Sequence, residues 1–158
     1  VVCTNSTIRP SEHHNSMCRL TLLFIVGSIQ CTNIITFVNN CSDSVQVVRQ
    51  PSGNAPDVEQ AILAPGQTTS ADFTYEDNVF KNGFDGFTQA HIYTKVMYIE
   101  LYRISVANGF DTPMQIATDQ DEALVITCNA ASCKPEDTNA AAKQGSNFTL
   151  TFCPTPSK

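Results

Sequence analysis

Beyond residue 31, apolar residues recur with a period of two, in short segments closed by Gly, Pro, Asn and Asp. That is the pattern of half-buried β-strands rather than of helices. The longest segment runs from Val96 to Ser105, with Met97, Ile99 and Leu101 on one side and Tyr98, Glu100 and Tyr102 on the other. Alternate side chains of a strand point to opposite faces, so the first set is expected to face a core and the second to form a half-wet aromatic and acidic surface. The last segment alternates as cleanly, Phe148, Leu150 and Phe152 inward and Asn147, Thr149 and Thr151 outward. Ile35 and Phe37, Val45 to Val48, Ala61 to Leu63, Thr68 to Phe73, Ile116 and Leu124 to Thr127 supply further short strands. Turns fall at Pro51 to Gly53, Pro65 and Gly66, Gly83 to Gly86, Gly109, and Thr112 with Pro113. About eight to ten strands predict an all-β fold, an antiparallel two-sheet sandwich or flattened barrel. Only Pro135 to Gln144, with Pro at a first helical position and three alanines, reads as helix, and a loop is the alternative there.

One segment departs from this pattern. Met17, Cys18 and Arg19 precede the apolar run Leu20 to Val26 and then Gly27 and Ser28. A basic residue, a short apolar stretch and a small residue near its exit match a secretory signal peptide, and the run is far below the roughly 20 residues of a membrane span. The competing reading makes residues 20–29 a buried strand or helix. Residues 1–16 are expected to be leader outside the native protein, 17–31 the signal, and 32–158 a single domain. Cleavage after Cys31 leaves Cys41, Cys128, Cys133 and Cys153, an even set that suits an oxidising compartment. The expected location is extracellular.

Fifteen Asp and Glu against nine Lys and Arg give a formal charge of −6. Such a chain repels phosphate backbones, so nucleic acid is not an expected partner. No basic amphipathic helix offers a membrane anchor, and no second apolar span follows the first. A freely secreted soluble protein remains, and it is expected to be a monomer.

Three blocks of residues resemble a known family. Phe37, Val38, Asn39, Asn40 and Cys41, followed by Leu63, Ala64, Pro65, Gly66, Gln67 and Thr68, are similar to the opening of thaumatin-like proteins, the osmotin and pathogenesis-related group. Tyr102 to Met114 resembles that family's Tyr-x-x-Ser-x-x-x-Gly-Phe-x-x-Pro-Met signature, and Gly145 to Thr155 its C-terminal strand. The blocks occur in the family's order and span nearly all of residues 32–158.

The resemblance implies a disulfide-stapled β sandwich, with Cys41 joined to Cys153 and Cys128 left to pair with Cys133. It also implies a secreted, defence-type role in binding β-glucan or another cell-wall polysaccharide, and in some members its hydrolysis, at an acidic cleft between two domains. The stretch that forms the second domain in full-length members shrinks here to Ala130 to Ser146, so the chain resembles a reduced member with an open or shallow cleft. The cleft residues transfer poorly. Asn108 stands where the family commonly has Asp, and Asp111 where it usually has Asn. The strand that carries the family's cleft Glu falls near Gln89 to Ile92, where Ala90, His91 and Ile92 include no acid.

Glycoside hydrolysis uses two carboxyls flanking the scissile bond, about 5 Å apart for retention or roughly 6.5–9.5 Å for inversion. Glu100, Asp111, Asp85 and Asp77 are the candidates, against a reading of them as solvated surface acids. Glu100 between Tyr98 and Tyr102 stands out, because aromatic faces stack on sugar rings while a carboxylate binds hydroxyls. Tyr98, Glu100, Tyr102 and Asp111 are therefore the candidate ligand-binding set, with Glu100 and Asp111 the candidate catalytic pair of an endo-β-glucanase. A third reading is a non-catalytic structural or protein-binding module. Asp119, Asp121 and Glu122 lack the spacing of a calcium loop. Cys128 and Cys133 would need two more ligands to hold zinc, and His91 is the only histidine after residue 31, so neither a metal nor a cofactor is expected. Nucleophile elbows, phosphate-binding glycine loops and His-Glu-x-x-His are not found. Asn147, Phe148 and Thr149 form a sequon expected to accept a glycan, whereas Asn40, Cys41 and Ser42 include a stapling cysteine.

Overall fold

The computed structural model describes residues 33–73, 77–94, 99–120, 125–134 and 138–155. The expected leader and signal, residues 1–31, lie outside the described residues, as do Val96, Met97, Tyr98, Asp121, Glu122 and Pro135. The described residues form strands β1 (Asn33–Asn39), β2 (Val45–Pro51), β3 (Val58–Leu63), β4 (Thr68–Phe73), β5 (Asp77–Asn82) and β6 (Gln89–Tyr93). β7 (Ile99–Ser105), β8 (Met114–Thr118), β9 (Ile126–Cys128), β10 (Asn139–Lys143) and β11 (Phe148–Phe152) follow. Five pair in the order β4-β1-β11-β8-β9 and six in the order β10-β7-β6-β5-β2-β3. The all-β, two-sheet architecture expected from the periodicity is the one observed.

The two sheets share one apolar core. β1 alternates buried and half-buried residues along its whole length, which places Ile35 and Phe37 inside. Phe37 meets Phe73 and Phe80 edge-on, with ring centroids 6.3 and 5.0 Å away, the arrangement that aromatic quadrupoles favour. Phe148, Leu150 and Phe152 of β11, the neighbour of β1, extend the same wall of the core.

One described pairing is parallel, that of β1 with β11. Parallel neighbours leave a sheet at the same end, so Cys41 and Cys153 emerge side by side, with Cα atoms 5.0 Å apart, and are bonded. The Asn40 N–H donates to the Phe152 carbonyl at 3.0 Å and the Cys153 N–H to the Pro113 carbonyl at 2.8 Å. Cys153 sits at φ 52°, a region that non-glycine residues seldom occupy, held there by this bond and the cross-link. Buried Asn39 closes the same end. Its Nδ2 donates to the carbonyls of Leu63 and Asp43 at 2.8 and 2.9 Å, and its Oδ1 accepts from the Cys41 N–H at 2.8 Å.

Residues 139–143, expected to be helical or a loop, form edge strand β10 instead, hydrogen-bonded to β7 in the register Ala141↔Leu101. Alanine is the best helix former, but intrinsic propensity is routinely overridden by tertiary context, and the open edge of β7 offers a full ladder of partners. β5 was not legible either, because its core-facing side mixes Phe80 with buried Asn78, and its Lys81 is buried against Asp57 at 2.8 Å.

Cys41 and Cys153 are separated by 112 residues. On the chain-entropy argument a closed loop of this size contributes roughly 4–5 kcal/mol. The double variant Cys41→Ala/Cys153→Ala is expected to lose most of that, read as a lower urea midpoint with a denaturant slope that rises because the unfolded chain is no longer held compact; an unshifted midpoint would overturn this account of the staple.

Candidate functional site

β7 presents its other side to the core than the alternation led us to expect. Glu100 and Tyr102 are 0% and 1% exposed, whereas Ile99 and Leu101 are 41% and 39% exposed. Both faces of this strand contain apolar residues, so period two identified the strand without settling its phase. Tyr102 and Ile104 settle it. The Tyr102 ring packs on Phe148 at 5.5 Å and Ile104 joins the same cluster, which carries Glu100 inside with them. The expected sugar-stacking stripe of Tyr98, Glu100 and Tyr102 is thereby corrected: two of its members are interior, and Tyr98 lies outside the described residues.

Glu100 is accommodated by donors. Its Oε1 accepts from the Asn33 Nδ2 at 2.7 Å and the Gly145 N–H at 2.8 Å, while the same Asn33 Nδ2 also reaches the Ser146 carbonyl at 2.7 Å. Gly145 aims its N–H inward from φ 82°, a backbone state that glycine adopts without strain. Glu100 Oε2 has no partner among the described residues. Burial pushes this carboxyl above its ordinary value, against the pull of the Gly145, Asn33 and Ser146 contacts.

Asp111 does different work. Its two oxygens accept the N–H groups of Thr88 and Phe87 at 3.0 and 2.9 Å, and the Thr88 hydroxyl accepts in return from the N–H groups of Asp111 and Thr112. Partial burial would raise this carboxyl, but the donors from Thr88 and Phe87 outweigh it and hold it below the ordinary range. It is a charged loop clamp. Glu100 lies near the start of β7 and Asp111 beyond its end, so five residues of strand, about 16 Å, already separate the two. That exceeds either hydrolytic spacing. The candidate catalytic pair is not brought together.

The other expected positions are scattered. Asp85 is exposed in the turn after β5. Asp119 accepts from the Asn147 backbone N–H at 3.0 Å and from its Nδ2 at 2.8 Å, while Asn147 Oδ1 accepts from the Ile34 N–H at 3.1 Å. Asn147 thus precedes β11, with both ends of its carboxamide engaged, instead of standing free on an outward face. Cys128 and Cys133 are bonded to each other.

Chemistry gathers instead on the outer face of the six-stranded sheet. The ladders put His91 opposite Arg103, Tyr93 opposite Leu101, Asp77 opposite Tyr93, and Asn139 opposite Arg103. The Tyr93 hydroxyl lies 3.1 Å from His91 Nδ1 with the two rings stacked, and the Arg103 guanidinium stands over the Tyr93 ring at 5.8 Å. A groove of about 470 Å³ opens here, lined by Asp77, Tyr93, Leu101, Arg103 and Asn139. A second hollow of about 400 Å³ shares Arg103 and Asn139 and continues to Val106 and Cys133. Burial, reinforced by the Arg103 charge, lowers His91 to about 4, so it is neutral at physiological pH. Sequence reasoning noticed His91 as a missing acid and as a lone histidine, too few for a zinc site, and named none of Tyr93, Arg103 and Asn139 as a site residue. The one available signal was the spacing of His91 and Tyr93, which puts both on one side of a strand.

No protein-family model matches the sequence, and no curated protein matches it. Solved structures do. The thaumatin-like xylanase inhibitor TLXI superposes with a TM-score of 0.62 over 76% of this chain and 99% of its own, at 18% identity. Its fold is thaumatin-like. The protein elicitor MoHrip2 from Magnaporthe oryzae superposes with a TM-score of 0.59 over 77% of this chain and 99% of its own, also at 18% identity. On this thaumatin-like frame, the strand where the resemblance expects a cleft Glu is β6, and its outward residues are Gln89, His91 and Tyr93.

Buried His91 and Glu100 pull stability in opposite directions with pH. Between about pH 6.5 and 4 the unfolded chain binds a proton at His91 that the folded thaumatin-like chain refuses, so stability falls by about 3 kcal/mol as pH drops through that window. Glu100 is the reverse: its raised value favours the folded state in acid, and that advantage is lost as pH rises above the ordinary carboxylate range. Denaturant titrations should show His91→Gln gaining on the parent protein near pH 4 but not at neutrality, and Glu100→Gln gaining at neutrality but not in acid. Parallel profiles for both variants would contradict this assignment.

Proposed function

We propose that this thaumatin-like chain is a secreted, monomeric, defence-type protein that binds β-glucan or another cell-wall polysaccharide without cleaving it, through the outer face of β5, β6, β7 and β10. The observation that carries the reading is the groove in which an aromatic ring, an exposed Leu101 and the polar heads of Arg103, Asn139 and Asp77 converge. A sugar ring has an apolar face and a rim of hydroxyls, and a shallow site with one aromatic and several hydrogen-bonding groups matches it. The separation of Glu100 from Asp111 removes the carboxylate pair that a hydrolytic reading had named. TLXI is described as a xylanase inhibitor and MoHrip2 as an elicitor, and these roles support a setting at the encounter between an organism and a cell wall.

Cosedimentation of the oxidised protein with insoluble β-glucan, chitin and cellulose tests this. Selective pelleting is expected, and Tyr93→Ala is expected to weaken it about tenfold, the effect of losing one aromatic contact. Failure to pellet with any of the three, together with no binding to soluble polysaccharides, would turn the reading toward a protein partner, for which exposed Ile99 and Leu101 on the same face are the available apolar contacts.

A further inference from the structure

We infer that the groove on the outer face of β6, β7 and β10 is built for an acidic, uronate-bearing polysaccharide rather than a neutral glucan; this rests on the polysaccharide reading above and narrows it. The first observation is the charge of the face. In a chain of formal charge −6, the outward positions of β5, β6, β7 and β10 carry Lys81, Arg103 and Lys143 against the single carboxylate of Asp77. Lys81 is committed to Asp57. Arg103 and Lys143 are both exposed and have no carboxylate partner among the described residues.

Their placement is the second observation. Arg103 stands opposite Asn139 and Lys143 opposite Ile99, so the two cations lie four residues apart along one ladder, about 13 Å, with exposed Leu101 and Ala141 between them. An extended glycan with a carboxylate at each of these points would place its apolar ring faces on Leu101 and Ala141. Arg103 suits the first carboxylate because its planar fork bonds both oxygens at once. Its guanidinium is already oriented over Tyr93, so little freedom is lost on binding.

The third observation is His91. It is 9% exposed, its Nδ1 is taken by the Tyr93 hydroxyl, and its Nε2 has no partner among the described residues. A neutral imidazole beside Arg103 leaves that cation without a counter-charge among the described residues, where a carboxylate in the same place would cancel it. A neutral glucan would supply none to Arg103 and Lys143, whereas a uronate supplies one to each. The acidity of the rest of the chain opposes a polyanion only over distances that salt screens, about 8 Å at physiological ionic strength.

Affinity electrophoresis of the full chain through gels containing polygalacturonate, its methyl ester or soluble β-1,3-glucan tests this, with thermal melts confirming that each variant is folded. Retardation is expected to be strongest on polygalacturonate, weakening there as salt is raised. Arg103→Gln should reduce it about tenfold, Lys143→Gln less, and Arg103→Lys should recover part of the loss. Equal retardation by the methyl ester or the neutral glucan, lost in Tyr93→Ala but not in Arg103→Gln, would overturn this inference and leave polysaccharide binding standing. Retardation by polygalacturonate that survives Arg103→Gln/Lys143→Gln would overturn the assigned site. No retardation by any of the three would overturn this inference, and with no pelleting on the insoluble polymers it would overturn the polysaccharide reading as well.

Discussion

The parallel contact between β1 and β11 is the constraint on which the rest of the sandwich depends. Strands from the two ends of the described chain are hydrogen-bonded neighbours inside one sheet, so that sheet cannot be completed until the last strand has arrived. Contacts of such sequence separation carry a large closure entropy, and parallel ladders are slightly weaker per residue than antiparallel ones. Several local devices converge to hold this one. The Cys41–Cys153 bond lies just past the two strand ends, Asn39 ties the same corner to the turn after β3, and Asn33 and Asn147 fasten the opposite end through Ser146 and Ile34. Both ends of the ladder are thus closed by polar clamps whose donors and acceptors are matched.

That arrangement explains why a carboxylic acid is tolerated inside. Glu100 lies where the turn from β10 to β11 meets the start of β1, and it gathers the Asn33 carboxamide and the Gly145 N–H. Burying a carboxyl without partners is costly, and satisfying one oxygen while leaving the other bare accounts for the raised value. Its role is architectural, joining β7 of one sheet to β1 of the other. Asp111 serves a comparable purpose at the far end of β7, where Gly109, at φ 123°, brings its Cα so close to Phe87 that a Cβ would stand 3.3 Å from that ring. Two acids that composition alone would place on the surface are therefore parts of the frame, and the surface chemistry falls to His91, Tyr93, Arg103 and Asn139.

The outer face of the six-stranded sheet is in consequence a place where one group positions another. Tyr93 orders His91 through its hydroxyl and Arg103 through its ring, and His91 stays neutral because it is buried beside that cation. The side chains are pre-set by one another, so little of their freedom remains to be lost when a ligand is bound.

Much of this was determined by the sequence itself. Alternation along Ile35 and Phe37 and along Phe148 to Phe152 specified strands and their inward residues, because one side of each segment is apolar and the other polar. The motif blocks around Asn39, Pro65 and Tyr102 pointed to the thaumatin-like frame. Three things were decided only by tertiary structure. The phase of β7 depended on which of two apolar faces found a core, and Phe148 across the sandwich made that choice for Tyr102. The strand at residues 139–143 depended on a vacant ladder at the edge of β7, since alanines carry no preference strong enough to resist it. The cluster of His91, Tyr93, Arg103 and Asn139 depended on lateral register between three strands, a relation between distant segments that no pattern within any one of them contains.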